Sequence, residues 1–327
     1  MVGLLSEEHL VVKVKSETTD KRYGCEPEKR LLSEYIKLGC INLDKPRGPT
    51  SHQVVAWVKD IINIEKAGHG GTLDPKVTGV LPLALGNATK ALQAFLYGTK
   101  EYIGIMRTHR DVSTDDIKKI CSRFVGEIEQ LPPVRAAVKR EVRKRKIYSF
   151  DILEIEKRDV LFKVICQAGT YIRTLVHNVG KLIGGSHLEE LRRTRSCSFE
   201  EREAITLHQL KDAYMDYKEG NERELRKVIM PFEKMLSHLP KIIIRDSAVD
   251  AVCHGANLAI PGFVKFDKRI EKGSTVAIFS LKNEAVALGK SLLSSKELLT
   301  KSEGCAVDIE RVFMLPNTYP PCWKKKI

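Results

Sequence analysis

A single carboxylate, Asp74, stands in the stretch AGHGGTLDPKVTGVLPLALG (residues 67 to 86), approached through Gly68, Gly70 and Gly71 and followed at once by Pro75. The residue before a proline is pushed out of the helical region into an extended conformation, which constrains the direction of its side chain. Glycines upstream let another backbone or a ligand approach closely. One acid with a fixed aim and no second acid beside it suits nucleophilic work. The stretch lacks the lysine of a P-loop, so its glycines do not read as a phosphate cradle. The same Gly, Thr, Asp and Pro also build an ordinary tight turn, and the loop alone leaves both readings open.

Other side chains could serve such a carboxylate. Tyr171 and Arg173 flank Ile172 in GTYIRTL. If the backbone is extended there, alternation puts both on one face, where a tyrosine can stack on a base and a guanidinium can pair with a carboxylate or phosphate. A solvated arginine beside a half-buried tyrosine is the plain alternative. Tyr102, in KEYIG, reads from its surroundings as a tyrosine on a sheet face. His69 could contact phosphate or act in acid–base chemistry, or simply shape its loop. Residues 135 to 146, RAAVKREVRKRK, hold a dense run of Lys and Arg that suits either a phosphate track or a solvated charged face. The shorter LRRTR at 191–195 is a weaker signal of the same kind.

The elements that must position these residues follow from periodicity. Ile41 and Leu43 alternate as a short strand, Thr50 and Gln53 form a capping-box pattern, and Val54, Val58, Ile61 and Ile62 stripe the helix that follows. NATKALQAFLYG predicts a helix stopped by Gly98, EYIGIMRTH a strand, and residues 113 to 124 a helix. FDILEIEKRDVLFKVICQAG predicts an antiparallel hairpin. Ile172, Leu175, Val176, Val179, Leu182 and Ile183 share one face of a helix stopped by Gly184. Strands interrupted by helices, without regular βαβ units, predict an α+β fold rather than a doubly wound one. A helix-rich stretch, 206 to 237, leads to a second module. There a strand at 242–245 precedes a short helix capped by Asp246 or Ser247 and ended by Gly255, and strands at 257–266, 274–281, 284–290 and 305–313 complete a small β-barrel-like unit.

The chain has 327 residues, enough for two domains, with 55 Lys and Arg against 42 Asp and Glu and a net charge of +13. That surplus favours a polyanionic partner such as nucleic acid. No apolar run is long enough to span a membrane, and MVGLLSEEHL does not read as a secretory signal. The 8 cysteines form no CxxC pair, so they read as reduced thiols rather than zinc ligands or a disulfide scaffold. No recognition-helix or zinc signature supports DNA binding.

The motifs, taken together, resemble a known family. GHGGTLDPKVTGVLPLALGNATK is similar to the catalytic motif of TruB-type pseudouridine synthases, and INLDKPRGPTS, KEY, GTYIRTL and LEELRRTRS resemble four further motifs of that family in the same order. RAAVKREVRKRKIY and IIIRDSAVDAVCHGANLAIPG resemble its dyskerin branch, the guide-RNA-dependent synthases of H/ACA ribonucleoproteins. The resemblance spans roughly residues 38 to 323.

The resemblance implies a pseudouridine synthase fold, with a mixed, mainly antiparallel central sheet and flanking helices, plus a PUA RNA-binding domain. Residues 1–38 become an extension packing on the PUA domain, 39–238 the catalytic domain, 239–320 the PUA domain and 321–327 a short basic tail. Asp74 becomes the nucleophile and Tyr102 the residue stacking on the flipped uracil. Arg173 orients Asp74, Tyr171 packs beside the base, Leu191 lines the pocket and His69 lies near the nucleotide's backbone. Lys45 and Pro46 support the catalytic loop. Arg143, Lys144, Arg145 and Lys146 belong to a flexible RNA-binding loop closing on substrate.

The implied activity is guide-RNA-directed isomerisation of uridine to pseudouridine in rRNA and other RNAs, serving rRNA processing and ribosome biogenesis. It calls for no metal and no cofactor. The implied partners are an H/ACA guide RNA, target rRNA and the small H/ACA core proteins, with no membrane and no DNA, and the implied location is the nucleus and nucleolus. A stand-alone tRNA pseudouridine synthase and a catalytically idle RNA-binding scaffold are the alternatives. Two positions depart from the family pattern: Gly70 stands where Ser or Thr is usual, which predicts a looser loop, and Cys197 replaces a common glycine. The tail is reduced to KKKI.

Overall fold

The structure, a computed structural model, describes residues 9–132 and 139–322. Its strands are β1 (Leu10–Val12), β2 (Gly39–Lys45), β3 (Ala67–His69), β4 (Thr78–Leu85), β5 (Thr99–Thr108), β6 (Gly126–Gln130), β7 (Arg143–Glu156), β8 (Asp159–Gln167), β9 (Ser186–Ser196), β10 (Phe199–Glu200) and β11 (Met230–Pro231). The chain continues through β12 (Lys241–Ile244), β13 (Leu258–Ala259), β14 (Phe263–Asp267), β15 (Thr275–Phe279), β16 (Ala285–Ser291) and β17 (Cys305–Val312). Helices α1 (Leu32–Lys37), α2 (Ser51–Ile62), α3 (Thr114–Ser122), α4 (Ile172–Ile183), α5 (Leu207–Lys218), α6 (Glu222–Val228), α7 (Asp246–Cys253) and α8 (Ser295–Thr300) punctuate them.

The larger sheet is ten-stranded, in the order β11-β2-β4-β9-β5-β8-β7-β6, with β10 beside β9 and β3 beside β4. All its pairings are antiparallel except β4 with β9, which meet in parallel only at Thr78–Arg192 and Gly79–Arg193. The second sheet runs β1-β14-β12-β15-β16-β17-β13 around its own apolar core of Ile242, Ile244, Phe263, Phe266, Ile278 and Val307. This is the α+β architecture, with a mainly antiparallel central sheet and a small second β module, that the sequence predicts.

Local chemistry sets the helices. Thr50 and Gln53 cap α2 reciprocally, Gln53 N–H donating to Thr50 Oγ1 at 3.1 Å and Thr50 N–H to Gln53 Oε1 at 2.8 Å. Val54, Val58 and Ile62 then face the core. In α4, Ile172, Leu175, Val176, Val179 and Ile183 are buried, but Leu182 is exposed, one step round from the apolar face to which the sequence assigns it. Gly184 ends α4 with φ 85°.

Three further expectations are corrected. Residues Gly86–Leu96 form 3-10 turns, not an α-helix. Ala88, Ala91 and Ala94 recur at a spacing of three and are all buried, the repeat of a 3-10 helix rather than an α-helix. At α7 the cap residue is Arg245, with no side-chain cap, because the Asp246 carboxylate instead accepts from Thr19 Oγ1 and Asp20 N–H, both at 2.9 Å. The strand expected at 257–266 divides into β13 and β14 around the turn at Ile260–Gly262, where Pro261 cannot donate to a ladder. Several elements escape the sequence reading, among them β1, which pairs with β14, and α8, capped by Ser294 and Glu297.

The two sheets share an apolar core. Ala88, Ala91, Phe95, Phe199, Phe232 and Leu236 pack in one cluster with Ala277, Phe279, Leu288 and Phe313 of the second module. Arg30, ahead of α1, grips Glu233 with two hydrogen bonds, at 3.0 and 2.6 Å, and Ala285 N–H donates to the same carboxylate at 3.1 Å. Lys282 reaches back to the carbonyls of Asp20, Tyr23 and Gly24. The N-terminal segment, the linker and the second sheet are thereby pinned to one another.

His238 sits in this seam, its Nε2–H donating to Ala94 O at 3.0 Å while Nδ1 is buried without a partner. Burial lowers its pKa from 6.5 to about 4. The unfolded chain therefore takes up this proton first, so stability is fully present above the ordinary value of 6.5 and falls as pH drops towards 4, by up to about 3 kcal/mol. Denaturant unfolding across that range should show a shallower decline for His238→Gln than for the wild type; equal slopes would remove His238 from the account.

Candidate active site

Asp74 lies in the loop between β3 and β4, and few of the loop's hydrogen bonds come from the loop itself. Val77 N–H donates to Asp74 O at 3.0 Å, closing a tight turn with Pro75 at its second position. Everything else is supplied from outside. Buried Lys45, at the end of β2, points its ammonium at three carbonyls: Pro46 O at 2.9 Å, Val77 O at 2.9 Å and Pro75 O at 3.2 Å. Gly48 N–H also donates to Pro75 O, at 2.9 Å. Ser51, the first residue of α2, accepts from Leu73 N–H at 2.9 Å and donates to Leu73 O at 3.0 Å. Burial lowers the Lys45 pKa, and the nearby Asp74 charge opposes that shift.

On the glycine side, Gly70 N–H donates to Pro82 O at 2.8 Å and Arg193 Nη2 donates to Gly71 O at 3.0 Å. A Cβ on Gly70 would meet the ring of Phe95 at 2.8 Å. The departure at Gly70 therefore does not loosen the loop, as the sequence leads one to expect: the volume of a side chain is filled by an aromatic ring from the next element. Cys197 has φ 56°, a left-handed backbone that explains why glycine suits its position. Its Sγ lies 3.1 Å from the buried Lys100 ammonium.

Arg173 meets Asp74 directly, Nη2 to Oδ2 at 2.9 Å, the two side chains being 58% and 46% exposed. Arg173 is the second residue of α4, so it is helical; the extended backbone that would have set Tyr171 and Arg173 on one face is absent. A cation in the first turn opposes the helix dipole. Its place is therefore accounted for by Asp74 rather than by the helix. Tyr171 caps α4, and Gln130 clamps its backbone from both sides, donating to Tyr171 O at 3.1 Å and accepting from Tyr171 N–H at 2.9 Å.

Tyr102 is on the inward face of β5, 7% exposed and opposite Arg193 of β9. Burial raises its pKa, while the hydrogen bond and charge of Arg193 lower it and the Asp74 charge raises it. Leu191 pairs with Gly104 one step along the same face and packs on the same core. His69 closes β3, its ring 5.0 Å from that of His52 in an edge-to-face contact, and its Nδ1 is buried without a partner. Burial, then the neighbouring His52 and Arg193, lower its pKa, which favours a neutral imidazole.

The basic run is elsewhere. Residues 133–138 lie outside the described part of the chain, and Arg143–Lys146 are not in a flexible loop but open β7, paired with β6. The alternation of Glu127, Ile128 and Glu129 opposite this run supplies both the ladder and the countercharge, Lys144 meeting Glu127 at 2.8 Å. None of the four basic residues makes a hydrogen bond or ion pair with Asp74, Arg173 or Tyr102. Arg145 comes nearest in chain terms, its guanidinium about the Gly169 backbone that leads into Tyr171.

Sequence reasoning missed Arg193, Gln130, Ser51 and Phe95. Arg193 was in plain view within LRRTR, but a surface reading suits arginine; only its place between Gly79 of β4 and Tyr102 of β5 in the sheet buries it. Among the described residues no group of His, Cys, Asp or Glu could hold a metal ion, and no helix is long and apolar enough to cross a membrane. The eight cysteines are free. What remains is one aimed carboxylate, an arginine partner, a buried tyrosine and a neutral histidine around it.

The chain matches models of four known domains. Residues 59–172 match the TruB family pseudouridylate synthase N-terminal domain and 173–237 the tRNA pseudouridylate synthase B C-terminal domain. Residues 2–55 match the DKCLD (NUC011) domain and 240–313 the PUA domain. A probable tRNA pseudouridine synthase B of Methanopyrus kandleri is 56% identical over 98% of this chain and 95% of its own length. That of Thermococcus kodakarensis is 56% identical over 97% and 95%. Among solved structures, a chain in a crystal structure of a Cbf5-Nop10-Gar1 complex is 54% identical with a TM-score of 0.90, over 95% of each chain. One in an H/ACA RNP bound to a substrate RNA containing 2'-deoxyuridine is 52% identical with a TM-score of 0.88, over 96% of this chain and 97% of that one.

The packing at Gly70 is directly testable. Gly70→Ser should cost about 1–3 kcal/mol of stability through overpacking against Phe95, read by denaturant unfolding. Adding Phe95→Leu to the same chain should recover part of that loss. A Gly70→Ser chain as stable as the wild type would mean that the ring is not the obstacle.

Proposed function

The chain belongs to the TruB family and is a pseudouridine synthase, and from that premise we propose that it isomerises selected uridines in rRNA and other RNAs under the direction of a guide RNA, as the catalytic subunit of an H/ACA ribonucleoprotein. The observation that carries the chemistry is the Asp74–Arg173 pair at 2.9 Å in a loop braced from both sides. The guided mode is supported by the near-full-length likeness to chains in a Cbf5-Nop10-Gar1 complex and in a substrate-bound H/ACA RNP. By the same likeness, the partners are a guide RNA with its target and small core proteins of that particle. Roles in rRNA processing and ribosome biogenesis follow from the choice of target. The nuclear and nucleolar location is a proposal of the same kind, resting on the dyskerin resemblance; the archaeal relatives named above lend it no support.

In the proposed reaction the target uridine leaves its stack and enters the pocket, which favours single-stranded or guide-opened RNA. The Asp74 carboxylate, aimed by Arg173, attacks the nucleotide. The bond between N1 of uracil and C1′ of ribose breaks, the base turns within the pocket, and C5 bonds to C1′, with the bond to the Asp74 carboxylate broken again so that the free carboxylate is restored. The proton lost from C5 is matched by one gained at N1, so substrate and product are isomers and no external oxidant or reductant enters. Tyr102 stacks on the base, Leu191 lines the pocket beside it, Tyr171 packs at its edge, and His69 lies near the nucleotide's backbone. Arg143, Arg145 and Lys146 approach RNA from the β6–β7 ladder.

A second reading has a specific observation behind it, since the named relatives are described as probable tRNA pseudouridine synthases: the chain acts alone on tRNA. An idle RNA-binding scaffold is disfavoured by the intact Asp74–Arg173 pair.

Asp74→Asn should abolish pseudouridine formation while leaving RNA affinity within about threefold; retained turnover would sink the nucleophile assignment. Sequencing the RNA that copurifies with the chain from cells separates the two modes. Box-bearing hairpin RNAs support the guided one, whereas tRNA together with partner-free activity supports the other. Neutralising Arg143, Arg145 and Lys146 should weaken RNA binding and flatten its salt dependence by about 0.7 per lost phosphate contact on a single strand, and an unchanged slope would return the run to a solvated face.

A further inference from the structure

The Asp74–Arg173 pair cannot hold its own aim. Its arginine and aspartate side chains are 58% and 46% exposed, and an ion pair so open to water contributes about 0–1 kcal/mol. Arg173 is also the second residue of α4, a place where the helix dipole opposes a cation. The direction of its guanidinium must therefore be set by the backbone beneath it. Ile172, Leu175 and Val176 bury one face of α4, but apolar packing is non-directional and fixes the depth of a helix better than its register.

Gln130 supplies the register. It ends β6, is 2% exposed, and turns both ends of its amide on one residue: Nε2–H donates to Tyr171 O at 3.1 Å and Oε1 accepts from Tyr171 N–H at 2.9 Å. Tyr171 is the N-cap of α4 and provides no side-chain cap. Its carbonyl also accepts the first bond of the helix, from Leu175 N–H at 3.0 Å. The amide thus grips the group on which the first turn is built. The turn leading in is held from the same ladder. Lys146 N–H of β7 donates to Gln167 Oε1 at 3.2 Å, and Thr170 Oγ1 donates to Gln167 O at 2.7 Å. A Cβ on Gly169, at φ 81°, would stand 3.2 Å from the Arg145 guanidinium.

A side-chain amide suits this place because it carries a donor and an acceptor on one planar group. It matches the N–H and C=O of Tyr171 as a neighbouring strand would. A methionine of similar length offers neither, and leaves the Tyr171 N–H without the acceptor it has here. We infer that Gln130 is a positioning residue for the isomerisation: by fixing Tyr171 at the head of α4, it sets the register of Arg173 against Asp74. The strand it closes pairs with Arg143–Lys146, so the basic ladder and the Arg173 end of the site move as one body. This inference rests on the proposed reaction at Asp74.

The full chain is tested on a tRNA transcript and, assembled with the hairpin RNA that copurifies with it, on an oligonucleotide complementary to that guide. Whichever the wild type converts serves to measure single-turnover pseudouridine formation at saturating RNA and, separately, RNA affinity, with denaturant unfolding to show that each variant is folded. Gln130→Met should slow the chemical step by about 30-fold, with RNA affinity within about threefold of wild type. Gln130→Glu keeps the shape and the acceptor but, when ionised, turns an oxygen rather than a donor towards Tyr171 O; protonated, it again offers both. Its rate relative to wild type at the same pH should climb at least about threefold from about pH 9 to about pH 5.5, since burial raises the pKa of a carboxyl, while the Gln130→Met ratio stays flat. Lost packing alone would give no such rescue. A wild-type rate in Gln130→Met, rate and affinity falling together, or a flat ratio for Gln130→Glu would each overturn the inference. Should Gln130→Met fail to fold, the pH profile of Gln130→Glu decides. A wild type that forms no pseudouridine on either RNA refutes the reaction itself, whereas an active wild type beside an unaffected Gln130→Met refutes the inference alone.

Discussion

Two buried cations lodged on backbone carbonyls hold the centre of this molecule. Lys45 supports the proline side of the Asp74 turn and Arg193 the glycine side, and neither is neutralised by a carboxylate salt bridge among the described residues. A tight, glycine-rich loop has little capacity to order itself, since each fixed residue costs about 1–2 kcal/mol of backbone entropy. Carbonyls facing inward would normally be a liability. Here those carbonyls are the ligands of the two cations, so the loop's unsatisfied acceptors and the buried charges compensate each other. The arrangement also leaves Asp74 as the nearby anion, free to pair outward with Arg173 at the rim.

That loop is only as steady as the sheet beneath it, and the sheet is buttressed from behind. The 3-10 turns at Gly86–Leu96 lay Ala88, Ala91 and Ala94 flat against the shared core and present Phe95 to Gly70. The same cluster contains Phe279 and Phe313 of the second module. The RNA-binding module suggested by the PUA match is therefore continuous in packing with the wall of the active-site loop. Arg30 and Glu233 close the seam with a desolvated, two-point ion pair, which contributes definition of the joint more surely than net stability.

Much of this was legible in the sequence, for identifiable reasons. Asp74 and Arg173 were each ambiguous by themselves, one in a possible plain turn and the other a possible solvated arginine; the order of the motifs around them singled them out, and the structure brings them together. The hairpin of β7 and β8 and the capped helix α2 obey period and cap rules that need no tertiary context. The failures share a cause: each depends on what lies across a gap in sequence. Arg193 looks like surface charge until strand pairing turns it inward. Gly70 looks like slack until Phe95 is seen filling the space. Asp246 looks like a helix cap until residues 19–20 claim its carboxylate. Arg143–Lys146 look like a loop until acidic β6 pairs with them.

The short parallel contact of β4 with β9 bears on how such a site comes into being. Antiparallel neighbours can zip up from their turns, whereas Gly79 and Arg193 meet only after the whole intervening hairpin system has been made. Contacts between residues so distant along the chain carry a large loop-closure cost and tend to form late. A ribosome emitting this protein would thus release strands β5 to β8 before the residue that floors the aspartate loop. The loop that carries Asp74 is translated more than a hundred residues before the arginine that floors it, and cannot be complete until that stretch has been made.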